Sequence, residues 1–394
     1  MSTGSVIKDI ACRSCGTNHS VALDEYPCPE CGGILSPQYD LSSVSVERAD
    51  IERRRGSMWR YRELLPIREQ RNIISMGEGE TPLIDCPRLA DRLGVKRVLI
   101  KDEGQNPTNT FKDRGLAAAI SAAVERDETT VALPSAGNAG QAASAYAARA
   151  GLDCHVYLNH QAGAVQKQLV RAHGAELHLV DGRITEAAAA FASDREESGW
   201  ASVSSFHTPF RHDGKKTMGY EVYEQLGWDT PDEIVYPTGG GVGLVGFWRA
   251  YRDLQSLGWL DAEPPRLVVA QAEGVAPVVE AIQNGWEQHE PWDCPHSIAK
   301  GLEIPDPGAS PWIIEAVNRT GGDGVAVSDS NGLDAAITAA QQAGVEMCVP
   351  SAVALAGAFA RAADGTYDGD ETIVVVNTGA GCKSAGRLGP HARS

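Results

Sequence analysis

The 394-residue sequence lacks any apolar run approaching the ~20 residues that span a bilayer. Its first ten residues show no basic start leading into an apolar stretch, so no secretory leader is read there and a cytoplasmic protein is expected. Basic charge is scarce: 35 Lys+Arg stand against 52 Asp+Glu, a formal net charge of −17. Such a surface repels phosphate backbones and anionic membranes, so neither nucleic acid nor membrane is an expected partner. A dense acidic surface is also what screening by high cytoplasmic salt makes tolerable. There is no G-x-x-x-x-G-K-[ST], which argues against a P-loop nucleotidase, and no internal repeat or long low-complexity tract. The nine cysteines are odd in number and come without an export signal, which points to thiols or a metal rather than a disulfide framework.

What is present reads as an α/β protein. The length suffices for two or three domains with sizeable cores, and the 42 glycines suit many tight strand–helix turns. Apolar runs at residues 98–101, 129–133, 152–158, 176–180, 232–236, 267–271 and 371–376 read as strands. Helical patterns lie between them, at 116–124, 141–150, near 166–173 and from about 247. This βαβ alternation predicts parallel sheets. His155, His160, His173 and His178 show no metal-ligand spacing along the chain and are read as structural.

Four segments carry chemistry. Cys12-Arg-Ser-Cys15 and Cys28-Pro-Glu-Cys31-Gly-Gly form two C-x-x-C knuckles. Four thiolates on two tight turns make the tetrahedral set that Zn²⁺ prefers, and a ribbon this short needs the metal's folding energy. Residues 37–70 read as a charged connector, and Gly77-Glu-Gly-Glu-Thr-Pro-Leu83 as a turn into a strand. Next, Asn106-Pro-Thr-Asn-Thr-Phe-Lys112-Asp-Arg-Gly115 joins a strand to an alanine-rich helix, with the Thr/Asn cluster as the expected N-cap. Lys112 at that helix start feels the positive end of the macrodipole, which disfavours its charged form and suits it to act as a nucleophile and proton shuttle.

Two further turns offer backbone N–H groups to anions. Pro134-Ser-Ala-Gly-Asn138-Ala-Gly runs from a strand into a helix. Pro237-Thr-Gly239-Gly240-Gly241-Val242-Gly243-Leu-Val-Gly246 follows another strand, and its glycines leave N–H groups unobstructed around a phosphate. Residues 241–246 also satisfy G-x-G-x-x-G, a weak dinucleotide fingerprint. Arg211, Lys215 and Lys216 cluster unusually closely for so acidic a chain, either to meet an anionic substrate group or as solvated charges at a hinge.

The Lys112 segment resembles the N-P-T-G-[ST]-F-K-[DA]-R-G motif of threonine synthases, fold-type II pyridoxal 5′-phosphate (PLP) enzymes of the tryptophan synthase β-like family. Asn109 departs from the motif's Gly; where that turn needs a positive φ, Asn is the best-tolerated substitute. The resemblance extends over the Gly77, Asn138, Arg211, glycine-rich, Pro295-His296 and Asn377-Thr378 segments and includes the ribbon. It implies two α/β domains with the cofactor between them: residues 1–40 as a zinc-ribbon-like segment, 41–210 carrying the Schiff-base lysine, and 211–394 carrying the phosphate loop. It further implies that Lys112 bonds the cofactor's carbonyl carbon and that Asn138 meets its 3′-oxygen. Gly239, Gly240, Gly241, Val242 and Gly243 would hold its phosphate, and Thr378 its pyridine nitrogen. Ser135, Ala136, Gly137 and Asn138, with Thr108 and Arg211, would bind substrate. Cys12, Cys15, Cys28 and Cys31 would bind structural Zn²⁺.

The implied reaction is a lyase step in threonine biosynthesis, O-phospho-L-homoserine plus water giving L-threonine and phosphate, and a homodimer is compatible with it. A serine/threonine dehydratase, or a cysteate or cysteine synthase-like β-replacement enzyme, shares the same motifs. A dinucleotide-dependent oxidoreductase rests on residues 241–246 alone, and a non-enzymatic interaction protein on a degenerate form of the fold is disfavoured by the intact Lys112, Asn138 and Thr378.

Overall fold

The computed structural model describes residues 4–23 and 26–388. Thirteen strands follow one another in the described chain. The first five are β1 (Ile7–Cys12), β2 (Asn18–His19), β3 (Leu35–Tyr39), β4 (Leu83–Asp85) and β5 (Arg97–Asp102). Next come β6 (Thr130–Ser135), β7 (Asp153–Asn159), β8 (Glu176–Val180) and β9 (Ala201–Ser202). The last four are β10 (Glu233–Pro237), β11 (Arg266–Ala272), β12 (Asp323–Val327) and β13 (Thr372–Asn377). They build two compact units that interleave along the chain, one of residues up to Glu80 with Asn106–Thr217, the other of Thr81–Gln105 with Met218–Ser394.

The first unit holds a wholly parallel four-stranded sheet, in the order β8-β7-β6-β9, and a small antiparallel sheet, β2-β1-β3. Ile10, Cys12 and Leu35 of the small sheet, with Cys28 from the loop between β2 and β3, share one apolar cluster with Leu116, Ile120, Leu133, Tyr146 and Phe210, so the amino-terminal segment packs on the same core. The second unit holds a six-stranded sheet, β12-β11-β10-β13-β5-β4, parallel except for β4. Its strands are apolar on both faces because helices cover both: Ile373, Val374, Val375 and Val376 are all fully buried. Residues 81–105 precede the Lys112 helix in sequence yet pair β5 with β13 in this second sheet.

Two helices begin differently from the sequence pattern. The helix Lys112–Val124 has Phe111 at its N-cap with no side-chain cap. Within the Thr/Asn cluster the Thr110 hydroxyl accepts from the Lys112 N–H (3.4 Å), and Asp113, in the first turn, reaches back to accept from the Thr108 backbone N–H (2.6 Å) and from the Thr108 hydroxyl. The helix expected from about residue 247 starts at Val242. Gly243 lies inside it because a Cβ there would meet the Tyr236 hydroxyl at 2.1 Å; the missing side chain lets the helix start settle against β10.

The turn Gly77-Glu-Gly-Glu80 conceals a fully buried carboxylate. Glu78 accepts from Trp59 Nε1 (2.7 Å), Tyr146 OH (2.8 Å) and the Met76 N–H (2.9 Å), and burial raises its pKa above the usual carboxylate range. In the second unit the Lys101 ammonium is fully buried on Glu221 (2.8 Å), the Thr81 carbonyl (2.8 Å) and Gln225 (3.0 Å), so this interior charge is compensated.

A close helix contact in the first unit joins Lys112–Val124 to the short helix Pro209–Gly214. A Cβ on Gly115 would meet the Arg211 carbonyl oxygen at 2.5 Å, and one on Gly214 would meet the Arg114 carbonyl oxygen at 2.4 Å. Each glycine faces the other helix's backbone, which cannot yield as a side chain would. Gly115→Ala is therefore expected to cost about 1–3 kcal/mol by overpacking, read as a lowered urea midpoint with unchanged m-value.

Candidate active site

In the first unit the loop 106–110 delivers Lys112 to its helix. Asn109 adopts φ 60°, the left-handed conformation that Asn tolerates where Gly is the usual choice. Its N–H donates to the Asn106 carbonyl (2.7 Å), and the Asn106 side chain accepts from Gly79 N–H (3.0 Å). Thr108 is buried and engaged with Asp113 through both backbone and hydroxyl, so it shapes the loop that presents Lys112. Lys112 is half-buried, its Nζ 4.3 Å from the Phe111 ring centroid.

The reciprocal glycine contact sets three more cations beside this helix. Arg211 is buried; it donates to the Val203 carbonyl (2.7 Å), while its Nε finds no hydrogen-bond partner. Burial lowers its pKa to about 10. Lys215 is fully buried, its Nζ without a hydrogen-bond partner and 4.4 Å from the same Phe111 centroid that Lys112 approaches. Burial first, then the positive charges of Lys112 and Arg211, hold its pKa well below the ordinary lysine value. Lys216 is different: it pairs with Asp213 (3.2 Å) and lies 3.8 Å from the Tyr39 ring centroid, while the Tyr39 hydroxyl donates to Asp213. None of these three is a solvated surface charge.

The second anion turn also belongs to this unit. Gly137 has φ 139° and ψ −80° at the N-cap of the helix Asn138–Ala150, a conformation side chains rarely adopt. The Ser135 hydroxyl accepts from Gly137 N–H (3.0 Å) and Gly140 N–H (2.9 Å), so it fixes the turn from inside. Ala136 is exposed and Asn138 half-buried, its Oδ1 accepting from Gln166 Nε2 (3.3 Å).

The second unit carries the glycine-rich turn and Thr378. Gly241 has φ 69° at the N-cap of the helix Val242–Ser256, which has no side-chain cap. A Cβ on Gly241 would collide with Ile313 Cδ1 at 2.1 Å, whereas Gly240 has open space beside it. A closely backed turn, an uncapped helix start and room at its middle together fit a phosphate. Thr378 is buried at the end of β13; its hydroxyl and that of Ser351 lie 2.9 Å apart, and Ser351 accepts from the Thr378 N–H (2.8 Å). This neutral hydroxyl pair, with the Cys348 thiol 2.9 Å from Ser351, suits an aromatic nitrogen rather than a carboxylate-paired one. Ser351 escapes sequence reasoning because its only signal is a Pro-Ser at a helix start. His296 is exposed, its Nδ1 3.3 Å from the Cys294 carbonyl oxygen.

The cysteine knuckles close in space. The sulphurs of Cys12, Cys15, Cys28 and Cys31 lie within 4.8 Å of one another, with Cys12–Cys31 at 3.5 Å and Cys15–Cys28 at 3.9 Å. Four thiolates about a tetrahedral zinc stand about 3.8 Å apart, so the set fits the ion. His19 Nε2 lies 3.3 Å from Cys28 Sγ; β2 brings it there by pairing with β1, which no spacing in the sequence announces.

Comparison with known proteins converges on the same chemistry. Residues 74–379 match the family described as "Pyridoxal-phosphate dependent enzyme". The threonine synthase of Methanocaldococcus jannaschii is 33% identical over 376 residues, 94% of this chain and 92% of that protein. That of Methanosarcina acetivorans is 32% identical, over 94% and 91%. Among solved structures, an L-serine ammonia-lyase from Rhizomucor miehei superposes with a TM-score of 0.69 at 22% identity, covering 80% of this chain and 98% of that one. Threonine deaminase isoform 2 from Solanum lycopersicum gives 0.66 at 23%, covering 77% and 84%; both show the fold. Identity of about one third along nearly the whole length, with a family match over residues 74–379, makes this chain a member of the pyridoxal-phosphate-dependent enzymes, within the threonine synthase family.

Proposed function

We propose that the chain converts O-phospho-L-homoserine and water into L-threonine and phosphate with the help of PLP. The observation that carries this is Lys112 at the first turn of its helix beside two buried cations, Lys215 and Arg211, that hold unpartnered nitrogens. A PLP lysine needs a neutral amine, and a phosphorylated substrate needs buried positive charge. The family relatives carry the same activity in their names.

The residues fit the cofactor. Residues 239–243 would hold its phosphate at the uncapped helix start, Thr378 its ring nitrogen, Asn138 its 3′-oxygen, and Lys112 its carbonyl carbon. When bound, PLP supplies the electron sink that lets protons leave Cα and Cβ of the substrate. With the cofactor bound, the Lys112 amine would take and return those protons, which an ammonium could not do. The turn of Ser135, Ala136, Gly137 and Asn138 receives the substrate carboxylate on backbone N–H groups. Thr108 acts by fixing the loop before Lys112. Arg211, joined by Lys215, meets the phosphate that leaves Cγ before water adds at Cβ. The four cysteines hold a structural Zn²⁺ with no open position, so the metal takes no part in the chemistry.

Lys112→Ala is expected to lose turnover and the visible absorbance of lysine-bound cofactor, and borohydride followed by mass spectrometry is expected to tag Lys112 in the parent protein alone. Threonine and phosphate from phosphohomoserine, assayed beside serine and phosphoserine, separate this reading from a dehydratase or a β-replacement enzyme; product from the latter two alone overturns it.

Lys215 separates stability from function. Burial sets the folded-state pKa of Lys215 below its unfolded value, so its contribution to stability rises with pH toward the ordinary lysine value. Lys215→Met is expected to raise the unfolding midpoint near neutral pH, with less gain at pH 10, while KM for the phosphorylated substrate increases about tenfold through the lost charged contact. Stripping zinc with a chelator is expected to lower the thermal midpoint, with recovery on adding Zn²⁺ and no recovery in Cys28→Ser.

A further inference from the structure

Away from all of these groups, the parallel sheet of the first unit assembles a second set of metal-ligand types. His155 lies on β7, and Glu176 and His178 lie two apart on β8, the edge strand of that sheet. Side chains two apart on a strand share a face. The parallel register sets His155 beside Glu176 and Tyr157 beside His178, so the register gathers all four side chains on one face. No spacing along the chain reveals this, because 20 intervening residues separate the two strands' ligands, from 156 to 175.

The three donor groups converge. His155 Nδ1 and His178 Nε2 lie 3.1 Å apart, His155 Nδ1 is 3.5 Å from one Glu176 oxygen, and His178 Nε2 is 3.7 Å from the other. Two imidazole nitrogens and a carboxylate oxygen bound at about 2.0–2.2 Å to one tetrahedral ion stand roughly 3.2–3.6 Å apart. Both rings are held in place before any ion arrives. Trp200 stacks on His155 with centroids 3.7 Å apart and planes at 13°, and Tyr157 stacks on His178 at 4.2 Å and 6°. The Tyr157 hydroxyl is in turn anchored to Asp194. The imidazoles are partly buried while the Glu176 side chain is 66% exposed, which leaves an outward side for water.

We propose that His155, Glu176 and His178 form a second metal site, for a divalent transition ion of the zinc class, that ties the edge strand β8 to β7. Two imidazoles with one carboxylate select zinc, cobalt or nickel over calcium or magnesium, which take oxygen donors. The site is independent of the cofactor and of the cysteine cluster. Its physical effect is on an edge strand, whose only strand neighbour is β7: an ion bridging the two strands binds the folded form alone and so stabilises it by mass action. The competing arrangement is a single proton shared between the two facing rings.

The test uses the full-length, PLP-loaded protein with its cysteine cluster already filled with zinc, desalted and titrated with Co²⁺ alone. Expected are a saturable visible ligand-field band at one further equivalent, without sulphur charge transfer, and a rise in thermal midpoint. His178→Gln and His155→Gln should each weaken cobalt binding at least about tenfold, the scale on which metal sites respond to loss of a supporting group. Cofactor absorbance and circular dichroism verify their fold. Glu176→Gln, at an exposed position, gives the same readout should a histidine variant fail to fold. No saturable band, a band with sulphur charge transfer, or a band that survives in the folded variants overturns the proposal in favour of the shared proton.

Discussion

Two glycines, each facing the backbone of the opposite helix, set how closely the helices bearing Lys112 and Arg211 approach. Gly115 and Gly214 each press on the backbone of the opposite helix, at a separation that leaves no room for a Cβ on either. That approach brings the helix carrying Lys112 against the one carrying Arg211 and leading into Lys215. A methyl group at either position would part the helices, and the amines of Lys112 and Lys215 would no longer address the same Phe111 ring. Precision here comes from what is left out of the sequence.

The two units treat buried charge in opposite ways. In the second, Lys101 is met by Glu221, Gln225 and a backbone carbonyl, a satisfied network that holds β5 in place. In the first, Lys215 is buried as deeply with no acceptor, and Arg211 keeps an idle Nε. An uncompensated interior cation costs stability, and proteins carry such costs where a ligand relieves them.

The amino-terminal segment is more than an appendage. Its apolar side chains belong to the same cluster as Leu116 and Phe210, and Tyr39 at the end of β3 braces both Asp213 and Lys216. A metal that folds the ribbon thereby steadies the helix bearing Arg211.

Much was legible beforehand because its signals are local. The Lys112 segment, the asparagine turn, the glycine turn and the cysteine knuckles each spell out a turn type or ligand set over a short stretch, and the strands expected from apolar runs fell within two residues of them, while β1, β2, β3, β9 and β12 were not anticipated. Helix starts were less legible: at the first, Asp113 joins the Thr110 hydroxyl in holding the turn, and the other begins at Val242, with Gly243 set against Tyr236. By itself the sequence determined which chemical groups exist and what each short stretch becomes, since backbone conformation and side-chain chemistry are set by near neighbours. Only the tertiary structure decided that residues 81–105 join the second sheet, that Lys215 is stripped of water, that Ser351 backs Thr378, and that His155 meets Glu176 and His178. Those outcomes depend on strand register and on packing between segments far apart in the chain, which no local pattern encodes.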